Sequence, residues 1–237
     1  MTQLDNEFNA VYDRFMRTNA MRRLLNGSLT VAHYKQILKE IYHYVKVNPQ
    51  LHSLASVFFR GSDRDMVVTF LRHAIAESGH DQMALDDLAA LGDDPRDVPL
   101  SNPLPHTMAL TSFAYYQISV LNPIGYLGYA YFLEHLPTRG GEEIGAALAS
   151  IGAPPEALTF LAEHAEVDVA HNALMKRYLD KLVHDDADRA AVVYAMQTTG
   201  ALYAQMLQGA IDAVDADLGN VEYGVNYPEK ERLVVGL

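Results

Sequence analysis

The chain of 237 residues contains no cysteine, which excludes disulfides, zinc–thiolate sites, iron–sulfur clusters and a cysteine nucleophile. Basic residues are scarce: 18 Lys and Arg stand against 30 Asp and Glu, for a formal charge of −12. That balance argues against nucleic acid, whose phosphates need clustered cations, and against docking on an anionic membrane. No apolar run approaches the roughly 18–20 residues that would span a bilayer. The opening Met1-Thr-Gln-Leu-Asp-Asn-Glu7 has neither a basic n-region nor an apolar h-region, so the expected location is the cytoplasm. Strand-like alternation, fixed-period repeats and a dividing linker are also missing. The expectation is a single all-α domain over 1–237, with an irregular tail from 219.

What is present is helical periodicity. The spacing predicts a helix from Leu4 to Leu25, and a second after the N-cap Thr30 that Pro49 bends or restarts toward Phe59. A third is expected from Arg64 to Leu91, with Gly79 inside it to make room for a close neighbour or ligand. A fourth runs from His106 to His135 with a kink at Pro123, and Arg139-Gly140-Gly141 breaks the chain before a short helix to Ile151. Pro154-Pro155 opens a long helix to Val183, and Asp185 or Asp186 caps the last one, which ends near Leu218. The sum is a bundle of about seven helices.

The stretch His164-Ala-Glu-Val-Asp168-Val-Ala-His171 carries the chemistry. At 100° per residue, positions 164, 168 and 171 share one side of a helix, in line with Leu161, Val167, Leu174, Met175 and Tyr178. That stripe looks inward, and burying two imidazoles and a carboxylate is costly without compensation. A metal ion is the economical explanation, because it uses neutral imidazole and ionised carboxylate together. The third helix repeats the i, i+4, i+7 pattern with His73, Glu77 and His80, beside Asp81 and flanked by Phe70, Ala74, Ala84 and Leu88. The fourth helix places Glu134 below Leu127, Ala130 and Tyr131, and the second carries Glu40-x-x-His43. Carboxylate and histidine sets projected from facing helices are how bundles hold two iron or manganese ions.

The order Glu77-x-x-His80, Glu134, His164-x3-Asp168-x2-His171 resembles the haem-oxygenase-like di-iron oxidases, also called iron-containing redox enzymes. The likeness runs from the first helix to about residue 215. It implies a haem-oxygenase-like bundle, TenA-like in helix pattern, that forms a homodimer. It also implies a dioxygen-dependent oxidoreductase acting on an amino-acid-like, amine or fatty-acid-like substrate. Glu77, His80 and His171 would hold one iron, and His164 and Asp168 the other, with Glu134 as the bridge. Manganese, nickel or zinc could substitute. Either His80 or His73 completes the set. Glu40 and His43 have no counterpart among the six, and are read as substrate-side residues, neighbours of the ligands, or packing.

Other activities of the same fold fit less well. Residues 1–32 hold no axial histidine for haem, TenA-like thiaminases need a cysteine, and PqqC-type oxidases need a basic pocket. A ferritin-like site would put its second Glu-x-x-His on the last core helix, where this chain has His-x3-Asp-x2-His. The rival from another class is a TenA/PqqC-like protein that binds a small molecule without redox chemistry. Tyr131, one turn before Glu134, is a candidate for the pocket; His52, His106, His135 and His184 lie outside the stripes and read as solvated or local structural residues. The acidic run from Asp86-Asp87 to Asp93-Asp94 reads as a solvated helix end.

Overall fold

Leu4, Phe8, Val11, Tyr12 and Phe15 recur at three- and four-residue intervals and are all buried, so the first helix lays one apolar stripe on the core. The computed structural model describes residues 3–216, and for 164–172 it describes the helical backbone without the side chains. Among the described residues there are ten α-helices and no strand. They are α1 (Gln3–Met16), α2 (Asn19–Leu25), α3 (Val31–Val45), α4 (Asn48–Ser56), α5 (Met66–Ala76), α6 (His80–Ala90), α7 (Pro105–Ser119), α8 (Tyr126–Ser150), α9 (Thr159–Leu182) and α10 (Asp186–Asp215). The tail from 219 lies outside the described residues. No described helix is long and apolar enough to cross a membrane.

The long α10 is the spine. Its stripe of Val192, Met196, Tyr203, Met206 and Ala210 is buried, and it packs against α8, α7, α3 and α1. Phe8 and Phe15 of α1 meet Phe132 of α8 at ring-centroid distances of 6.3 and 6.0 Å, closing the bundle on that side. α9 lies along α8, and of its inward stripe Leu174 is part-buried while Met175 and Tyr178 are fully buried.

The count exceeds seven because four expected helices are each broken in two. Thr18 caps a new start at α2 by accepting the Met21 N–H, and Pro49 opens α4. Gly79 separates α5 from α6, and Pro123 lies between α7 and α8. The reverse correction falls at Gly140-Gly141, where α8 runs straight through. A Cβ on Gly140 would stand 2.9 Å from the Tyr12 hydroxyl, so this glycine serves the approach of α1 and not a chain break.

Two buried carboxylates start helices that are not their own. Asp87 of α6 is fully buried, which corrects its reading as solvated. It accepts hydrogen bonds from the backbone N–H groups of Thr159 and Phe160, both at 3.0 Å, and from the Thr159 hydroxyl. Those are first-turn donors of α9, whose own N-cap residue, Leu158, has no side-chain acceptor. Glu40 of α3 does the same for α7, accepting from Leu104 N at 3.0 Å and from the Thr107 hydroxyl.

Asp87→Ala should therefore remove about 2–3 kcal/mol, the value of a cap joined to charge-assisted hydrogen bonds. Urea unfolding would show it, with faster amide exchange at Thr159 and Phe160. An unchanged midpoint with unchanged exchange would mean that α9 starts without the α6 carboxylate.

Candidate metal centre and cavity

Glu77 ends α5, and Gly79 follows with φ +102°, a left-handed backbone that glycine adopts at no steric cost. A Cβ at Gly79 would meet nothing within 4 Å, so the residue is there for its dihedral, not to make room as the sequence pattern suggested. The break carries His80 into the first turn of α6, yet folds it back so that its Nδ1 stands 3.7 Å from Glu77 Oε2. His73, one turn before Glu77, places its Nε2 3.1 Å from Glu134 Oε1 and 3.6 Å from Glu77 Oε1. Glu77, His80 and Glu134 thus meet as expected of one site, and His73 joins them between the two carboxylates.

The electrostatics follow from burial. Burial alone would lower His73, but its bonds to Glu134 and Glu77 outweigh that and raise it to about 9. Burial would raise Glu77, but His73 and His80 hold it well below the ordinary carboxylate range. His80 is raised, chiefly by its bond to Glu77.

His52 is the residue that sequence reasoning missed. Only 3% exposed, it packs edge-on against His73 with ring centroids 4.2 Å apart. Its Nδ1 lies 3.0 Å from the Asn48 carbonyl oxygen and 2.9 Å from the Tyr126 hydroxyl. Burial and the neighbouring His73 lower it to about 4, so it is neutral. A carbonyl only accepts, so the proton sits on Nδ1 and the lone pair on Nε2. That Nε2 is buried and has no hydrogen-bond partner among the described residues. The signal in the sequence was Asn48, Leu51 and Ala55, which put His52 at the edge of an inward face. Asn48 also donates to Glu77 Oε2 at 3.4 Å, tying α4 to the site.

His164, Asp168 and His171 lie on α9, but their side chains are outside the described residues. Tyr178, seven residues beyond His171, brings its hydroxyl to 3.4 Å from His73 Nδ1. Glu40 is fully engaged at the start of α7. His43 bonds the Ser101 hydroxyl through Nε2 at 3.0 Å, and burial, then Lys46, lowers it to about 4. Neither is in contact with the cluster, so both belong to helix packing. Tyr131 donates to Asp5 Oδ1 at 2.9 Å and stacks on His135, facing α1 rather than the pocket. Asp81 is part-buried in the first turn of α6, where its charge acts on Lys46 and Tyr42.

Glu77 and Glu134 also line a cavity whose other walls include Phe15, Leu24, Ile37, Leu148, Phe160 and Ile211. The two glutamates are the only charged side chains among its described lining residues. Asn48 and the hydroxyl-bearing Tyr34, Tyr44 and Tyr203 supply its remaining polar groups, and Tyr44 and Tyr203 hydrogen-bond each other.

A helical bundle that gathers imidazoles on two carboxylates lining an apolar cavity is the kind of scaffold on which helical proteins build metal sites. The chain belongs to the iron-containing redox enzyme family, whose sequence profile matches residues 35–204. Its fold is haem-oxygenase-like. A domain of unknown function with that fold from Shewanella denitrificans OS217 superposes with a TM-score of 0.85 at 25% identity, covering 93% of this chain and 95% of that one. A TenA homologue from Pseudomonas syringae pv. tomato DC3000 gives 0.73 at 14% identity, over 89% and 91%. Haem oxygenase-2 from Synechocystis sp. PCC 6803, solved with haem and NO, gives 0.62 at 16% identity, over 92% and 87%. No curated protein matches the chain.

Gly79→Ala should cost about 1–2 kcal/mol, the penalty of a left-handed backbone for an L side chain, and should draw His80 away from Glu77. Urea unfolding checks the first part, and the His80 ring resonances in an NMR spectrum check the second. A wild-type midpoint would show that the break does not need glycine.

Proposed function

We propose that this protein is a dioxygen-dependent oxidase or oxygenase that holds two iron ions and oxidises a small organic substrate with an apolar body. The observation that carries this reading is the pair of buried carboxylates, Glu77 and Glu134, with His73 and His80 on them, at the head of an apolar cavity. The donors suit iron: imidazole and carboxylate without thiolate fit a ferrous ion, and a neutral, anchored His52 with an unused Nε2 is what a metal-facing histidine needs. Glu77, His80 and Glu134 would hold the metal from α5, α6 and α8, with His164, Asp168 and His171 completing the set from α9. Bound iron would supply the electron transfer and oxygen activation that no amino-acid side chain provides.

The chain's own residues account for the rest. Asn48 orients Glu77 by donating to Oε2, and His73 orients Glu134 through Oε1. The aliphatic and aromatic walls bind the substrate body and exclude water from its polar end. No Lys or Arg is among the described lining residues, and 164–172 contain none in sequence. An amine would present its cationic end to the two glutamates, whereas the carboxylate of an amino acid or of a fatty-acid-like molecule would meet no cationic side chain among the described lining residues. The lining thus favours the amine among the substrate classes implied by the family likeness.

Anaerobic loading with ferrous iron should give two equivalents bound, and admitting oxygen should give a transient visible band. Both should fail in Glu134→Ala. A protein that binds iron without any oxygen-dependent signal would instead be a binding module on this fold.

The cavity is tested separately by Ala20→Phe, which puts a ring into the apolar wall. Displacement of fluorescent 1-aminoanthracene by dodecan-1-amine should weaken at least tenfold, with iron content unchanged. Equal displacement in wild type and variant would remove this cavity as the substrate site.

A further inference from the structure

The family likeness assigns no role to His52 and keeps His73 only as a substitute for His80, yet both imidazoles are buried and held through Nδ1. We propose that His52, His73 and Glu134 hold a divalent transition-metal ion at a position that needs no donor from α9.

The three residues come from α4, α5 and α8, and one ligand atom from each lies within 4.8 Å of the other two. With metal–nitrogen bonds of roughly 2.1 Å, ligand atoms on one ion stand at most about 4.2 Å apart, so these three need only a small inward movement to share an ion. All three are buried, at 3%, 2% and 9% exposure. His52 presents a lone pair on Nε2, because Nδ1 is committed to the Asn48 carbonyl and the Tyr126 hydroxyl. His73 is arranged the same way: Nδ1 faces the Tyr178 hydroxyl, which stands 3.4 Å from the Thr69 carbonyl oxygen, and Nε2 faces Glu134. An outward nitrogen tied to an acceptor and an inward nitrogen aimed at a carboxylate is the arrangement by which proteins orient metal-ligating histidines.

Packing alone accounts poorly for this geometry. The two rings stack edge to face, so neither satisfies the other, and the His52 Nε2 lone pair is left in the interior with no partner among the described residues, where an unmet polar atom is costly. Two imidazoles and a carboxylate select borderline ions such as ferrous iron, cobalt or zinc over magnesium and calcium, which prefer oxygen. Glu77 Oε1, 3.6 Å from His73 Nε2, is at hand as a further ligand. The position shares Glu134 with the two-iron reading but does not rest on it, since none of its three ligands lies on α9.

The experiment is a cobalt(II) titration of the metal-free full-length protein, read by visible d–d absorption and by bound metal per chain. In a His164→Ala, Asp168→Ala, His171→Ala triple variant, one equivalent should remain with its absorption band. Adding His52→Ala should remove that equivalent, with at least a tenfold loss of affinity. Adding His52→Gln, which keeps polarity and bulk should the alanine not fold, should do the same, and circular dichroism checks the helix content of each. A triple variant that binds no cobalt, or whose cobalt is indifferent to both His52 substitutions, overturns the proposal. The two-iron reading fails by a different result: wild type and triple variant binding the same number of ions.

Discussion

The placement of His73 between Glu77 and Glu134 is the constraint around which the interior is organised. Two carboxylates side by side in an apolar cavity repel each other and lose their hydration, so they persist only with a positive partner between them. The imidazole provides that partner, and in doing so fastens the end of α5 to the middle of α8. Tyr178 and His52 buttress the same ring from α9 and α4. Four helices therefore converge on one side chain, and the cavity opens beside them.

The other buried carboxylates obey the same rule by a different route. Glu40 and Asp87 carry their charge to the N-termini of α7 and α9, where unpaired backbone N–H groups and the helix dipole stabilise it. Both resembled other things in sequence. Glu40-x-x-His43 has the spacing of a bundle metal motif, and Asp87 sits in an acidic run of the kind that coats a solvated helix end. A motif on one helix says nothing about which neighbour lies opposite, and here the neighbour is a helix start. The same limit hid His52, whose significance lies in the His73 ring that packing brings against it.

The site and the cavity also explain each other. Polar groups cluster where α4, α5 and α8 meet, and the rest of the cavity is lined mainly by aliphatic and aromatic residues of α1, α2, α3, α8 and α10. A substrate held by those walls would present one end to the carboxylates and keep bulk water away from it. The break at Gly79 contributes by turning His80 back onto Glu77, which an unbroken helix would achieve only through side-chain reach.

Three- and four-residue periodicity survives wherever a helix forms, so the all-helical class and the inward faces of α5 and α8 are legible in the order of residues, while the grouping of Glu77, His80 and Glu134 came from the family resemblance. The sequence by itself also determined the absence of thiolate chemistry. Only the tertiary structure decided where helices stop. Gly79 ends one because its backbone is left-handed, whereas Gly140 stays helical and gives room to Tyr12. Packing likewise sets His73 and His52 beside Glu77 and Glu134 and gives Glu40, His43 and Tyr131 their partners elsewhere, since the partner of a buried polar group is contributed by another part of the chain.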